Sequence, residues 1–220
     1  MSSLSLIAYK ALARSTTIPQ TDPYPERPDG PLIWGVVHDE HSARALIHLV
    51  ERLHHLRGPC SLLMTYADKA PRVPDRKGQF CFQLPVDTGE TAQRFLEHWK
   101  PSICLWFGGD LRPALIAETN VAKVHMMLLS AEEHLLDQSV WRWLPSLARE
   151  TLRSFASLAA RDQAAQKSLR KMNGTQRDIE IHGTLQIAVV PPAANESVFT
   201  EVSNNLNGRP VWLASNIQED

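Results

Sequence analysis

From Leu32 onward, short apolar runs with no in–out alternation take turns with helical patterns, and that rhythm limits the possible folds more than any other feature. A strand whose successive residues are all apolar buries both faces, and strands separated by helices pair in parallel, because the helix returns the chain to the sheet's starting edge. Strands are expected at Leu32–Val37, Ser61–Thr65, Gln79–Gln83, Ile103–Phe107, Lys123–Leu129, Phe155–Ala159, Ile179–His182 and Pro210–Ala214. Helices are expected at Ser42–Leu56, Thr91–Trp99, Leu111–Glu118, Val140–Arg153, Asp162–Met172 and Glu196–Leu206. With right-handed crossovers, this order predicts an α/β fold: a doubly wound, mostly parallel, Rossmann-like sheet with helices on both faces and a ligand cleft beyond the carboxyl ends of the strands.

The 220 residues are 43% hydrophobic, enough for one sizeable core. Residues 1–31 read as an N-terminal helix and a connector, 32–208 as the Rossmann-like domain, and 209–220 as a linker or the start of a second domain. Leu4, Leu6, Ile7, Leu12 and Ala13, with Tyr9, Lys10 and Arg14, form a short amphipathic helix that either packs on the domain or lies on a lipid surface; packing is the simpler reading. Five prolines between Thr16 and Pro31 make an extended connector. The 23 Lys+Arg against 24 Asp+Glu leave no electrostatic footprint for a polyanion, so nucleic acid is not an expected partner. Cys60, Cys81 and Cys104 lack Cys-x-x-Cys spacing and lie in or beside apolar runs, as reduced core thiols of a cytoplasmic protein do. No stretch approaches the ~20 apolar residues of a membrane span, and the start lacks a signal-peptide pattern.

Only loops just after strands face the cleft, and these carry the candidate chemistry. They are His38-Asp39-Glu40-His41-Ser42, Gly108-Gly109-Asp110, Ser130-Ala131-Glu132-Glu133-His134 and Gly183-Thr184-Leu185-Gln186. The first runs into a helix N-terminus, whose free N–H groups suit an anion or are simply capped by Asp39 or Ser42. Gly108-Gly109 permits positive φ, for an anion-binding nest or for a tight turn. His38 and His41 have no third ligand at metal spacing, so neither a metal nor another cofactor is expected. A basic excess from Arg142 to Arg177 suits phosphate, an anionic leaflet or plain solvation.

Several runs resemble a known family in order and approximate spacing. They are Arg27-Pro-Asp-Gly-Pro-Leu-Ile-Trp34, Leu84-Pro-Val-Asp87, Arg94-Phe-Leu-Glu-His-Trp-Lys-Pro101, Leu105-Trp106 and Leu111-Arg-Pro-Ala-Leu-Ile116, then Ala159-Ala-Arg-Asp162, His182-Gly-Thr-Leu-Gln186 and Arg209-Pro-Val-Trp-Leu-Ala-Ser215. They resemble the N-terminal half of the Kdo (3-deoxy-D-manno-octulosonic acid) transferases. The resemblance implies the acceptor-side domain of a two-domain GT-B glycosyltransferase that moves Kdo from CMP-Kdo onto a lipid A-type acceptor in lipopolysaccharide biosynthesis. It also implies residence at the cytoplasmic face of the inner membrane, peripheral to its anionic surface. Trp212-Leu-Ala-Ser215 looks like the opening of the family's second domain, so the half that binds CMP-Kdo is expected to lie outside this chain.

Departures fall at the family's chemical positions. Where the family has Ser-Val-Gly-Glu, Ser42 stands in place of the glutamate expected as general base. Gly108 replaces another glutamate, while Asp110 keeps the next acidic position. Ser130-Ala131-Glu132 is the approximate counterpart of Asn-Ala-Arg, and Gln186 replaces a lysine. If the chain is catalytic, the resemblance implies that Asp39 or Glu40 supplies the base, with Asp110 as acidic partner. His38, Ser42, Gly108, Gly109, Ser130 and Gln186 then line the acceptor site. Alternatives are a non-catalytic relative that binds an anionic glycolipid or pairs with a transferase, and a generic Rossmann-like nucleotide binder, which lacks a phosphate-loop motif.

Overall fold

The computed structural model describes residues 4–13, 24–73, 76–136, 145–173, 178–183 and 196–209. The chain divides into two units, Met1–Ile187 and Ala188–Asp220. The second contains the helix Glu196–Leu206, with the span expected from its periodicity. The expected strand Pro210–Ala214 lies outside the described residues.

In the first unit the order is α1 (Leu4–Ala13), β1 (Leu32–Val37), α2 (Glu40–Arg57), β2 (Ser61–Tyr66), β3 (Gln79–Gln83), α3 (Gly89–Trp99), β4 (Ile103–Phe107), α4 (Pro113–Val121) and β5 (His125–Ala131). It continues with α5 (Glu133–Leu136), α6 (Pro145–Arg153), β6 (Ser157–Ala160), α7 (Gln163–Asn173) and β7 (Glu180–Ile181). Seven strands form one sheet in the order β3-β2-β1-β4-β5-β6-β7, and every pairing is parallel. This is the doubly wound α/β fold. The strand order reverses between β1 and β4, which places the crevice above their carboxyl ends.

All six residues of β1 are buried, and its two faces serve two cores. Leu32, Trp34 and Val36 pack with Phe95, Trp99, Trp106 and Leu115, under α3 and α4. Ile33 and Val37 pack with Leu46, Ile47, Leu62, Met64 and Phe107, under α2. Between them Gly35 has no side chain because α2 crosses there: a Cβ would lie 2.0 Å from Leu46 Cδ2. The apolar runs lack period-2 alternation because each central strand is covered on both sides.

Boundaries shift where caps decide them. Asp39, not Ser42, is the N-cap of α2, so that helix begins at Glu40. Thr88 caps α3, and Pro113 opens α4 at the position where its missing N–H costs nothing. β5 starts two residues later than expected, because α4 runs on to Val121 and Lys123, at φ 59°, closes the turn. Cys81 departs from the core-thiol expectation: it lies exposed on β3, an edge strand with a neighbour on one side only, whereas Cys104 on β4 is buried.

α1 packs on the domain. Leu6 is buried in the larger core, Lys10 Nζ pairs with Glu118 of α4, and the Tyr9 hydroxyl donates to Asp87 Oδ2 at 2.8 Å. Burial, with Asp87 alongside, pushes the Tyr9 phenol well above its ordinary pKa. A phenol whose folded pKa exceeds its unfolded one contributes stability that is full below about pH 10 and lost as the pH climbs further. Tyr9→Phe is therefore expected to cost about 1 kcal/mol at neutral pH and to flatten the alkaline limb of urea stability against pH. An alkaline limb as steep as that of the unaltered protein would count against the buried phenol as its source.

Candidate functional site

Three of the loops singled out from sequence, and Gly183 of the fourth, lie at the carboxyl ends of β1, β4, β5 and β7. The turn after β1 is fixed by a capping box: Asp39 Oδ1 accepts from the Ser42 backbone N–H at 2.7 Å and from its hydroxyl at 2.6 Å, and Ser42 Oγ accepts from Asp39 N–H at 3.2 Å. Ser42 is buried and committed to this cap. Burial works to raise the Asp39 carboxyl, but the Ser42 hydrogen bonds, with His38 and His41 nearby, outweigh it and hold the group below the usual carboxylate pKa. Asp39 is therefore firmly anionic at neutral pH.

Next along the rim, Gly108 and Gly109 take φ of 81° and 138°, backbone that side-chain-bearing residues rarely adopt. Gly108 N–H donates to Leu129 O at 3.1 Å and Gly108 O accepts from Glu132 N–H at 2.7 Å, so this turn is stitched to the end of β5. Ser130 sits within β5 at φ 47°, where the register with β6 shifts, and its hydroxyl donates to Gly183 O at 3.2 Å. The segments around His38, Gly108 and Gly183 thus share one end of the sheet.

The hub of the rim is Glu132. Its Oε1 lies 3.2 Å from His38 Nε2, and its Oε2 lies 2.8 Å from Arg161 Nη1 and 3.5 Å from His134 Nδ1. It joins the loops after β1, β5 and β6, and His38 Nε2 is also 3.6 Å from Asp39 Oδ2. The Glu132 side chain is 13% exposed, against 49% for Asp39, 45% for Glu40 and 34% for Asp110. His38 Nδ1 is buried with no hydrogen-bond partner among the described residues. Glu40 points its carboxylate to Arg44 at 3.5 Å, and Asp110 pairs with Arg112 at 3.3 Å. Gln186 lies outside the described residues.

The sequence puts Glu132 in a cleft-facing loop and Arg161 in a basic stretch, with nothing in either to link them. Their positions just past adjacent parallel strands, β5 and β6, were the available signal. In the sequence Asp87 stands out only as the end of Leu84-Pro-Val-Asp87, yet its carboxylate is buried and caps α4 from outside: Oδ1 accepts from Leu115 N–H at 2.8 Å and Oδ2 from Ala114 N–H at 3.3 Å. Arg27 works at the opposite helix end, donating from Nε to Trp99 O at 2.8 Å, at the end of α3. Among the described residues, no group of three or more His, Cys, Asp or Glu side chains is placed to hold a metal ion, and no helix is long and apolar enough to cross a membrane.

No curated protein matches the chain. A family model described as 3-Deoxy-D-manno-octulosonic-acid transferase (kdotransferase) matches residues 26–189, a span that takes in all seven strands and the whole rim. By that match, which covers well over half of its length, the chain belongs to the Kdo transferase family of glycosyltransferases.

Proposed function

We propose that this chain is the acceptor-side domain of a Kdo-transferase-like glycosyltransferase, holding a lipid A-type acceptor in the crevice above β1, β4 and β5 while CMP-Kdo is presented by a second, donor-binding domain. The observation that supports it most is the convergence of His38, Asp39, Glu132 and Arg161 with the Gly108–Gly109 turn where the strand order reverses, in a chain of this family. A sugar-phosphate acceptor needs hydrogen-bonding groups for its hydroxyls and cations or N–H groups for its phosphates. His38, Ser130 and Glu132 offer the first, and Arg161 the second. Asp39, Glu40 and Asp110 are acidic groups on the loops of this rim, beside Glu132, and a proton acceptor there would serve the attacking hydroxyl. Work on a lipid-borne acceptor fits a protein peripheral to the anionic cytoplasmic face of the inner membrane.

A second reading is favoured by one observation. Ser42, which replaces the family's expected base, is consumed by the helix cap, so the crevice is also suited to a relative that binds the glycolipid without turning it over. Titration calorimetry with a Kdo-free lipid A precursor is expected to show saturable binding that weakens at least tenfold in the Arg161→Met variant. Binding equal in both proteins, or none in either, would remove the acceptor reading. Kdo transfer in a transferase-deficient strain separates the two readings: restored transfer supports the enzyme, and binding without transfer supports the relative.

A further inference from the structure

α1 lies far along the sequence from the rim but only two hydrogen-bonded steps from it in space. The first step is the Tyr9 hydroxyl on Asp87 Oδ2. The second is Asp87 on the opening N–H groups of α4, Ala114 and Leu115. Asp87 is 7% exposed, and its two oxygens take three donors from two helices. Pro113 at the first helical position brings no N–H, so Asp87 serves the first donors that α4 presents. Directly before these lie Arg112, whose N-cap position has no side-chain cap of its own, and Asp110, paired with Arg112. Directly before those is the Gly108–Gly109 turn that walls the crevice. A second tie runs in parallel: Glu118 of α4 takes Lys10 of α1 on Oε1 and Gln93 Nε2 of α3 on Oε2, the latter at 3.0 Å.

We propose that Asp87 and Tyr9 are positioning residues for the crevice: the docked α1 fixes, through the shared carboxylate, where α4 begins, and so sets the Gly108–Arg112 wall against which the acceptor seats. This rests on the acceptor-side reading above and adds to it an element that touches no acceptor. The physical ground is that two consecutive glycines at positive φ do not hold a conformation by themselves. The turn is held on one side by β5, through the Gly108 bonds to Leu129 and Glu132, and on the other runs through the buried Leu111 into the start of α4. Loosening the α4 end leaves the turn tethered only by β5 and by the buried Leu111 side chain that follows it. A misplacement on the order of 1 Å at a positioning element can cost up to about a hundredfold in function.

The test pairs two readouts on the whole chain: amide hydrogen exchange at Gly108–Arg112 and affinity for a Kdo-free lipid A precursor. Tyr9→Phe removes the α1 bond but leaves Asp87 capping α4, and Asp87→Asn keeps one acceptor oxygen while losing the other. Leu169→Ala, a core change on α7, is the control for general destabilisation. Exchange at Gly108–Arg112 is expected to quicken in both variants, at His38–Ser42 to stay unchanged, and affinity to fall about tenfold, more in Asp87→Asn than in Tyr9→Phe. The control moves neither. Should Asp87→Asn fail to fold, Tyr9→Phe alone decides. Quickened exchange with unchanged affinity, or affinity lost equally in Leu169→Ala, overturns the inference and leaves the acceptor reading in place. No binding by the unaltered protein overturns both.

Discussion

Trp34→Ala is expected to cost the first unit about 4 kcal/mol, read as a fall of roughly 8–16 °C in Tm for a chain of this size. Trp34 lies fully buried at the middle of β1, with ring centroids 5.1 Å from Phe95 and 6.2 Å from Trp106. Truncation empties that volume between two layers of secondary structure that cannot close up, since β1 is held on both sides by β2 and β4. It also removes a buried hydrogen bond, Trp34 Nε1 donating to Thr65 Oγ1 at 2.9 Å. Trp106 supplies the contrast. Its Nε1 is buried with no hydrogen-bond partner among the described residues, so Trp106→Phe sheds an unpaired polar group along with its volume and is expected to cost well under half as much as Trp34→Ala. Equal losses from the two variants in urea melts would refute this account of the aromatic core.

The architecture was legible because its causes are local. Runs such as Leu32–Val37 and Ile103–Phe107 are apolar on consecutive residues, and parallel pairing follows from the intervening helical patterns. The segments that carry the family resemblance turn out to serve the scaffold. In Leu84-Pro-Val-Asp87 the aspartate caps α4, in Arg94–Pro101 Phe95 and Trp99 fill the core, and Arg27 closes the end of α3. Less was legible wherever one residue's role is set by another far along the chain. Ser42 and Asp39 read equally well as caps from sequence, and the choice depends on which backbone turns first. Glu132 gave no local sign that it would meet His38 and Arg161, because those partners are brought together by strand order, which periodicity alone does not specify.

Glu132→Ala is expected to destabilise the fold by about 3 kcal/mol, by leaving one guanidinium and two imidazoles without their common carboxylate. Arg161 loses its Nη1 partner at 2.8 Å and keeps Asp162 on Nε, at 3.6 Å; His38 loses its closer carboxylate and keeps Asp39. Arg161 is 43% exposed, so water screens part of its loss, and the larger share falls on the mostly buried Glu132–His38 contact. A double-mutant cycle separates the shares. Arg161→Met alone is expected to cost under about 1 kcal/mol, and Glu132→Ala with Arg161→Met less than the sum of the singles, because the second change removes a charge that the first had stranded. His38→Phe in the Glu132→Ala background tests the imidazole in the same way, and strict additivity in both cycles would show that Glu132 holds the rim through its backbone bond to Gly108 alone. A coupling of 1 kcal/mol or more to His38, on the order found for residues in one network, would identify the carboxylate as the tie between the β1 and β5 ends. The crevice would then owe its shape to a charge whose partners the neighbouring sequence does not announce.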